Sequence, residues 1–433
     1  MLRQIGLIAG AMAAALSLAG AAFAQEVSTI VHAGRLLADP SNGRVLSEQS
    51  ILIGSDGRII GVEPGYVTRE GADVIDQRNR FVLPGLIDSH VHLRGSLSAQ
   101  RLYDPVLLTS ADAALRAAEN ANITLLAGFT TVADLGAPND AIFALRRAIN
   151  EGRVPGPRVI AAGSSITPDG GHGDAQSFQP EVLDVIRSPG ACSGADSCRR
   201  ATRRQIQAGA DLIKITATGG VLSNTAAGVG QQLSDEELRA IVDAAHSMGR
   251  RVTAHAHGAD GINAALRAGV DSIEHGTYLD DESIRLLRRG GGYLVPTMMA
   301  GWWVAQLAEQ GGVLTPAQTE KAAAVGPALI DMVRRARQGR VRVAFGTDSG
   351  VSPHGMNARE FQLMVNDAGF SPLEAIQTAT IAAADHLQLN GVAGRIAPGY
   401  SADMIGVDGD PLSDVSVLMQ TPFVMARGAA YAE

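Results

Sequence analysis

The sequence predicts an α/β protein, a (β/α)8 TIM barrel with a small β-sandwich domain formed by both chain ends. Three observations carry that prediction. Residues 83–393 repeat one rhythm of apolar strand, Gly-rich turn and helix. Eight strands can be placed there, ending near His92, Asp134, Ala162, Ala217, His257, His275, Thr297 and Asp348, and eight strand-helix units suit closure into a barrel. The chain ends, residues 25–82 and 394–433, instead alternate short apolar runs with turn residues.

Each element has a local reason. Thr29-Ile30-Val31, Ser50-Ile51-Leu52-Ile53 and Arg58–Val62 read as strands around a hairpin turn, Gly54-Ser55-Asp56-Gly57. Gly394–Gly399 and Ala402–Val407 read as the matching β-like stretch at the other end. Ser234 with Glu237 and Ser371 with Glu374 have the spacing of capping boxes. Thr315 and Ser371 are each followed by a Pro suited to the first helical position. A doubly wound open sheet is the alternative topology, but no G-x-G-x-x-G follows a first strand.

Residues 1–24 have the form of a signal peptide: Arg3, an apolar run from Ile5 to Leu18, and Ala22-Phe23-Ala24 before Gln25. The alternative, an uncleaved anchor, asks for a longer span. The mature chain is therefore expected to be soluble and exported, periplasmic or secreted. Cleavage removes Arg3 and no acid, so the net charge of −8 becomes −9. That balance, without a basic cluster, speaks against nucleic acid or an anionic membrane as partner. Cys192 and Cys198 are the two cysteines; in an oxidising compartment they can close a small loop, with two free thiols as the alternative. Neither is expected to be catalytic, since no helix start or basic partner is placed to lower a thiol pKa.

The chemistry lies at the predicted strand ends. His90 and His92 are two apart on one strand, so both side chains project to one side and can chelate a metal. Lys214 interrupts an apolar strand, where a bare ammonium costs several kcal/mol. A Schiff-base lysine, a buried ion pair, or a carbamate formed with CO2 would each resolve that cost, and the surrounding histidines favour the carbamate. His255 and His257 repeat the same-side pattern on strand five, His275 ends strand six and Asp348 ends strand eight. A lone histidine is more often a packed or hydrogen-bonded residue than a ligand. Side chains of this kind at the ends of strands one, four, five, six and eight define the one face on which barrel active sites lie.

This pattern resembles the amidohydrolase superfamily from about Val27 to the C-terminus. The matching elements are Pro84–His92, Lys214, His255, His275, Asp348 and Gly394–Asp403. The resemblance implies a binuclear centre, most simply two Zn2+, with His90, His92 and Asp348 on one ion and His255 and His275 on the other. A carboxylated Lys214 would bridge them, and hydroxide held between the ions would attack an amide carbonyl. Asp348 would then shuttle the proton and His257 would contact the substrate oxygen. Gly170-Gly171-His172-Gly173, Ala254–Gly258, Ser272–Gly276 and Thr347–Gly350 are similar to the imidazolonepropionase/Xaa-Pro dipeptidase-like subgroup, which includes carboxypeptidase-like dipeptidases and bacterial ochratoxin A-degrading enzymes. Those enzymes cleave the amide bond to a C-terminal amino acid. The resemblance also suggests homo-oligomers, up to octamers.

His172, in its Gly-rich loop, and Val221 or Leu222, in the turn after Lys214, are expected to line the pocket. His32, His246 and His386 are expected to be surface or packing residues. Trp302-Trp303 suits an aromatic pocket floor, a buried helix or a subunit contact. Two other functions stay open: cyclic amide or lactone hydrolysis, or deamination, on the same scaffold; and a catalytically silent barrel used for binding or assembly.

Overall fold

The computed structural model describes residues 26–98, 103–223 and 228–432; the expected signal segment lies outside them. Three parallel strands, Leu86–Val91, Phe129–Asp134 and Arg158–Ala161, form one part of the barrel wall. Five more, Ile213–Thr216, Val252–Ala256, Ser272–His275, Tyr293–Val295 and Arg342–Val343, form the other. Backbone hydrogen bonds join the two parts at both seams. On one side Asp211 N donates to Ala161 O (2.9 Å) and Ile166 N to Lys214 O (2.8 Å). On the other, Ser89 N donates to Phe345 O (2.9 Å), Asp348 N to His90 O and His92 N to Ser349 O (both 2.7 Å). The barrel is thus closed, as the alternation of strands and helices predicts. An open sheet would leave those edges unpaired.

The helices start where the sequence places their caps. Ser234 and Ser371 accept from Glu237 N and Glu374 N, and both glutamates reach back to the cap. Thr315 completes a third box with Gln318 ahead of the helix Pro316–Gln338. Apolar faces of these helices pack on the barrel exterior as one continuous core.

Both chain ends meet in one seven-stranded mixed sheet. Its strand order is Ala429–Ala432, Phe423–Ala426, Met404–Val407, Asp73–Pro84, Val27–Leu36, Leu46–Gly54 and Ile59–Pro64. It has its own apolar cluster, including Val31, Ile51, Val82, Met404 and Phe423. The segment Gly394–Gly399 is not a strand: Arg395 instead ion-pairs with Asp39 (3.0 Å), and Ile396 N donates to Ala38 O (2.9 Å). Asp73–Pro84 runs straight into the first barrel strand, separated only by Gly85, so the sheet sets the start of the strand that carries His90.

Candidate metal centre

His90 and His92 close the first barrel strand with their rings 5.4 Å apart. Each is oriented through its Nδ1. His90 Nδ1 lies 2.8 Å from Glu274 Oε2, and His92 Nδ1 lies 3.0 Å from Gly136 O. Donation from Nδ1 leaves Nε2 unprotonated and turned inward, the state in which imidazole binds a metal. His257 Nδ1 and His275 Nδ1 lie 2.7 Å from Thr277 Oγ1 and Thr297 Oγ1, hydroxyls that can either accept from the ring or donate to it. Four imidazoles on three strands are therefore held by outer partners.

Asp348 faces this arrangement. Its Oδ1 lies 3.3 Å from His92 Nε2 and 3.5 Å from His90 Nε2, yet this buried oxygen has no hydrogen-bond partner. An orphaned carboxylate oxygen facing imidazole lone pairs is what a cation site looks like. Ligand atoms of His90, His275 and Asp348 lie within 4.8 Å of one another, and so do those of His255, His257 and His275. Lys214 Nζ stands between the strands, 3.3 Å from His90 Nε2, with the side chain buried. The donor set fits divalent metal ions of the type that imidazole and carboxylate share.

Burial, reinforced by neighbouring imidazoles and Lys214, holds His255 and His275 well below the usual imidazole pKa, and burial brings His257 down to about 3. These rings are neutral at physiological pH. Burial also lowers the pKa of the Lys214 ammonium, against the opposing pull of Glu274, Asp348 and Asp134. A lysine so placed has a nucleophilic amine.

The backbone contributes to the aim of these groups. His275, Thr297 and Asp348 have φ of 67°, 50° and 57°, left-handed values that cost non-glycine residues about 1 kcal/mol or more each. All three lie at ends of barrel strands, where the chain turns a ligand, or the hydroxyl that holds one, into the mouth. Close approach does the rest at Gly220: a Cβ there would lie 2.3 Å from Cε1 of His172. The His172 ring stacks on His255, with centroids 4.3 Å apart, and His255 Nε2 lies 3.4 Å from Gly219 O. His172 and the turn after Lys214 thus both reach the histidine cluster, and Val221 is buried in that turn.

Other residues take plainer roles. His386 packs against Tyr293 (5.2 Å between rings), His246 pairs with Asp271 on the surface, and His32 lies 2.8 Å from Val67 O. Trp302 and Trp303 sit on the helix Met298–Gln310, half-buried against the barrel core, with Arg359 5.1 Å over the Trp302 ring. Cys192 and Cys198 are joined as a disulfide. Cys198 does lie in the first turn of a helix, Ala195–Ala208, contrary to the expectation of no nearby helix start, but as a disulfide it has no thiolate to offer.

Several residues around the site escaped the sequence reasoning. Glu274, fully buried, holds His90 and also accepts from Thr253 Oγ1 and Ser272 Oγ. An acid inside the apolar run before His275 was its visible signal. Asp88 ties strand one to strand eight by accepting from His90 N, Thr347 N and Oγ1, and Asn357 Nδ2. Asp134 caps the backbone after His92 by accepting from Leu93 N (2.8 Å) and Gly136 N (3.1 Å).

A closed barrel with histidine, lysine and aspartate converging at its mouth defines a metal-binding hydrolase. Residues 81–429 match the model of the amidohydrolase family, and the chain belongs to that family. The ochratoxinase of Aspergillus niger is 32% identical over 414 residues, covering 90% of this chain and 83% of that protein. The crystal structure of a Xaa-Pro dipeptidase with methionine bound in its active site superposes with a TM-score of 0.86 at 38% identity, covering 94% of this chain and all (100%) of that one. A prolidase complexed with N-methylphosphonate-L-proline gives 0.85 at 32% identity, covering 94% and 99%. The protein is a hydrolase of amide bonds.

Proposed function

We propose that this chain is an exported, binuclear amidohydrolase that cleaves the amide bond to a C-terminal amino acid in dipeptides or N-acyl amino acids, ochratoxin A among them. The observation that carries this reading is Lys214, buried 3.3 Å from His90 Nε2 in the midst of the ligand histidines. As a carbamate it would offer two oxygens, one to each metal, whereas a single-metal deaminase has no need of it. His90, His92 and Asp348 would hold one Zn2+, and His255 and His275 the other. The likeness to an ochratoxinase and to dipeptidases supports the substrate class.

Two divalent ions, when bound, would supply Lewis acidity that activates water and polarises the scissile carbonyl. The protein groups do the rest. Asp348 takes the proton of the attacking water and delivers it to the leaving nitrogen as the C–N bond breaks. His257, fixed by Thr277, donates from Nε2 to the oxygen of the tetrahedral intermediate, with the proton on the nitrogen that faces substrate. His172 and Val221 border the acyl or side-chain pocket. Signal cleavage near Ala24 would deliver the enzyme to the periplasm or medium, and self-association into homo-oligomers accompanies the reading.

The test is a hydrolysis panel of dipeptides and N-acyl amino acids that vary only in the C-terminal residue, with ochratoxin A included, run beside metal analysis of wild type and Lys214→Ala. The expected result is about two metal ions per chain and release of the C-terminal amino acid, both lost in the variant. Full activity in Lys214→Ala, or release of ammonia or a ring-opened product instead of an amino acid, would overturn it.

A further inference from the structure

The start of the helix Pro316–Gln338 holds the turn after Lys214. Gln318 Nε2 donates to Leu222 O (2.7 Å), and Lys321 Nζ donates to Gly220 O (2.9 Å) and to Ser223 O. That turn abuts the metal centre through Gly219, which faces His255, and through Gly220, which faces His172. Lys321 is only part-buried, and its ammonium has three N–H groups, of which the carbonyls engage two.

The charge on Lys321 is uncompensated. Among the described residues its hydrogen-bond partners are carbonyls and no carboxylate pairs with it, and segments 99–102 and 224–227 contain no acid. Arg94, a second arginine or lysine cation close to the strand-one histidines among the described residues, differs, since it lies in the field of Asp134 and Asp104. A part-buried ammonium beside the turn that borders the histidine cluster, with no carboxylate paired to it, is a receptor for an anion.

We propose that Lys321 receives the α-carboxylate of the residue on the leaving side of the scissile amide. This rests on the amide-hydrolase reading above and deepens it. In such a substrate the carboxylate and the scissile nitrogen share one α-carbon. Anchoring the carboxylate at the 219–223 turn therefore fixes the amide next to His257. An internal peptide bond has no carboxylate there, so Lys321 makes the enzyme an exopeptidase. Lys321 is a specificity-determining residue and takes no part in proton transfer.

The experiment compares N-benzoyl-L-phenylalanine with its C-terminal carboxamide in the metal-loaded wild type, Lys321→Met, Lys321→Arg and Arg94→Ala. A charge-assisted hydrogen bond predicts that wild type favours the free acid by about 10- to 100-fold in kcat/KM. Lys321→Met should erase the preference, mainly through KM, and Lys321→Arg should restore much of it. If Lys321→Met slows both substrates alike, the lysine only clasps the turn and the proposal falls. It falls too if the preference survives in Lys321→Met but vanishes in Arg94→Ala. Calorimetric binding of N-benzoyl-D-phenylalanine and its carboxamide decides the point without turnover. Should wild type cleave neither L-substrate, the amide-hydrolase reading fails, while loss of carboxylate binding in Lys321→Met would still uphold the carboxylate site.

Discussion

Glu360 offers a prediction whose size follows from the structure. Its side chain is fully buried and accepts hydrogen bonds from Met298 N (3.0 Å) and Met299 N (2.6 Å), the start of the helix that follows strand seven. Burial pushes its carboxyl up from 4.5 to about 8, against the two N–H donors. In the unfolded chain the group ionises near its ordinary value, whereas in the fold it keeps its proton. The folded state therefore binds more protons between those pKa values. Stability is undiminished below the lower one and falls as pH rises through the window. At about 1.4 kcal/mol per pH unit, the loss between pH 6 and pH 8 comes to about 2 kcal/mol. Glu360→Gln retains the volume and an acceptor for the helix N–H groups but does not titrate. Urea unfolding of the metal-loaded wild type and variant at both pH values isolates this group, since all other titrations cancel in the difference. The variant should gain on wild type by about 2 kcal/mol on going from pH 6 to pH 8. A difference that stays constant, or moves toward wild type, would refute the assignment of a buried neutral carboxyl.

Glu274→Gln removes the charge that orients His90 and should weaken metal binding by about 10- to 100-fold, measured by competition with a chelator; unchanged affinity would mean that His90 is held by other means. Gly220→Ala places a methyl 2.3 Å from the His172 ring, so it should displace that ring from His255 and lower kcat/KM while leaving the metal content intact. Loss of metal in that variant would instead place the turn in the support of the ligands. Reduction of the Cys192–Cys198 disulfide should destabilise the strand pairing of Thr167–Pro168 with Ala191–Cys192, next to the His172 loop, and hydrogen exchange should rise there first.

Much of the fold was legible because its signals are local. Strand-helix alternation, the capping residues Ser234, Ser371 and Thr315, and the hairpin turn at Gly54–Gly57 each act over a few residues. The convergence of His90, His92, Lys214, His255, His275 and Asp348 followed from a single further rule, that barrel strands share one functional face. The chain ends were read as one β unit for the same local reasons. The strands Asp73–Pro84, Phe423–Ala426 and Ala429–Ala432 nevertheless went unmarked, since the charged residues of the first and the shortness of the other two hide the alternation. Gly394–Gly399 has strand-like composition, but it forms no ladder: Ile396 N bonds to Ala38 O in the N-terminal loop, and Gly399 N touches the sheet at Ile59 O.

What stayed hidden was the support of the site, and the reason is physical. Glu274 meets His90 across 184 residues of sequence, and Asp88 meets Thr347 across 259. No spacing rule spans such distances; only closure of the barrel brings the partners together. The backbone strain is hidden for a different reason. His275, Thr297 and Asp348 adopt left-handed conformations that a sequence usually announces with glycine or asparagine. Here chemistry overrides propensity: each position needs an imidazole, a hydroxyl or a carboxylate, and the surrounding hydrogen bonds must impose the turn. Glu360 belongs to that scaffold. It fixes the backbone at Met298, the residue after Thr297, and the Thr297 hydroxyl in turn fixes His275. A carboxyl with no contact to the metal centre thus helps determine where one of its ligands points. The strain at strand seven is therefore sustained by a group whose protonation is sensitive to pH, which ties the stability of this turn to the geometry of the centre.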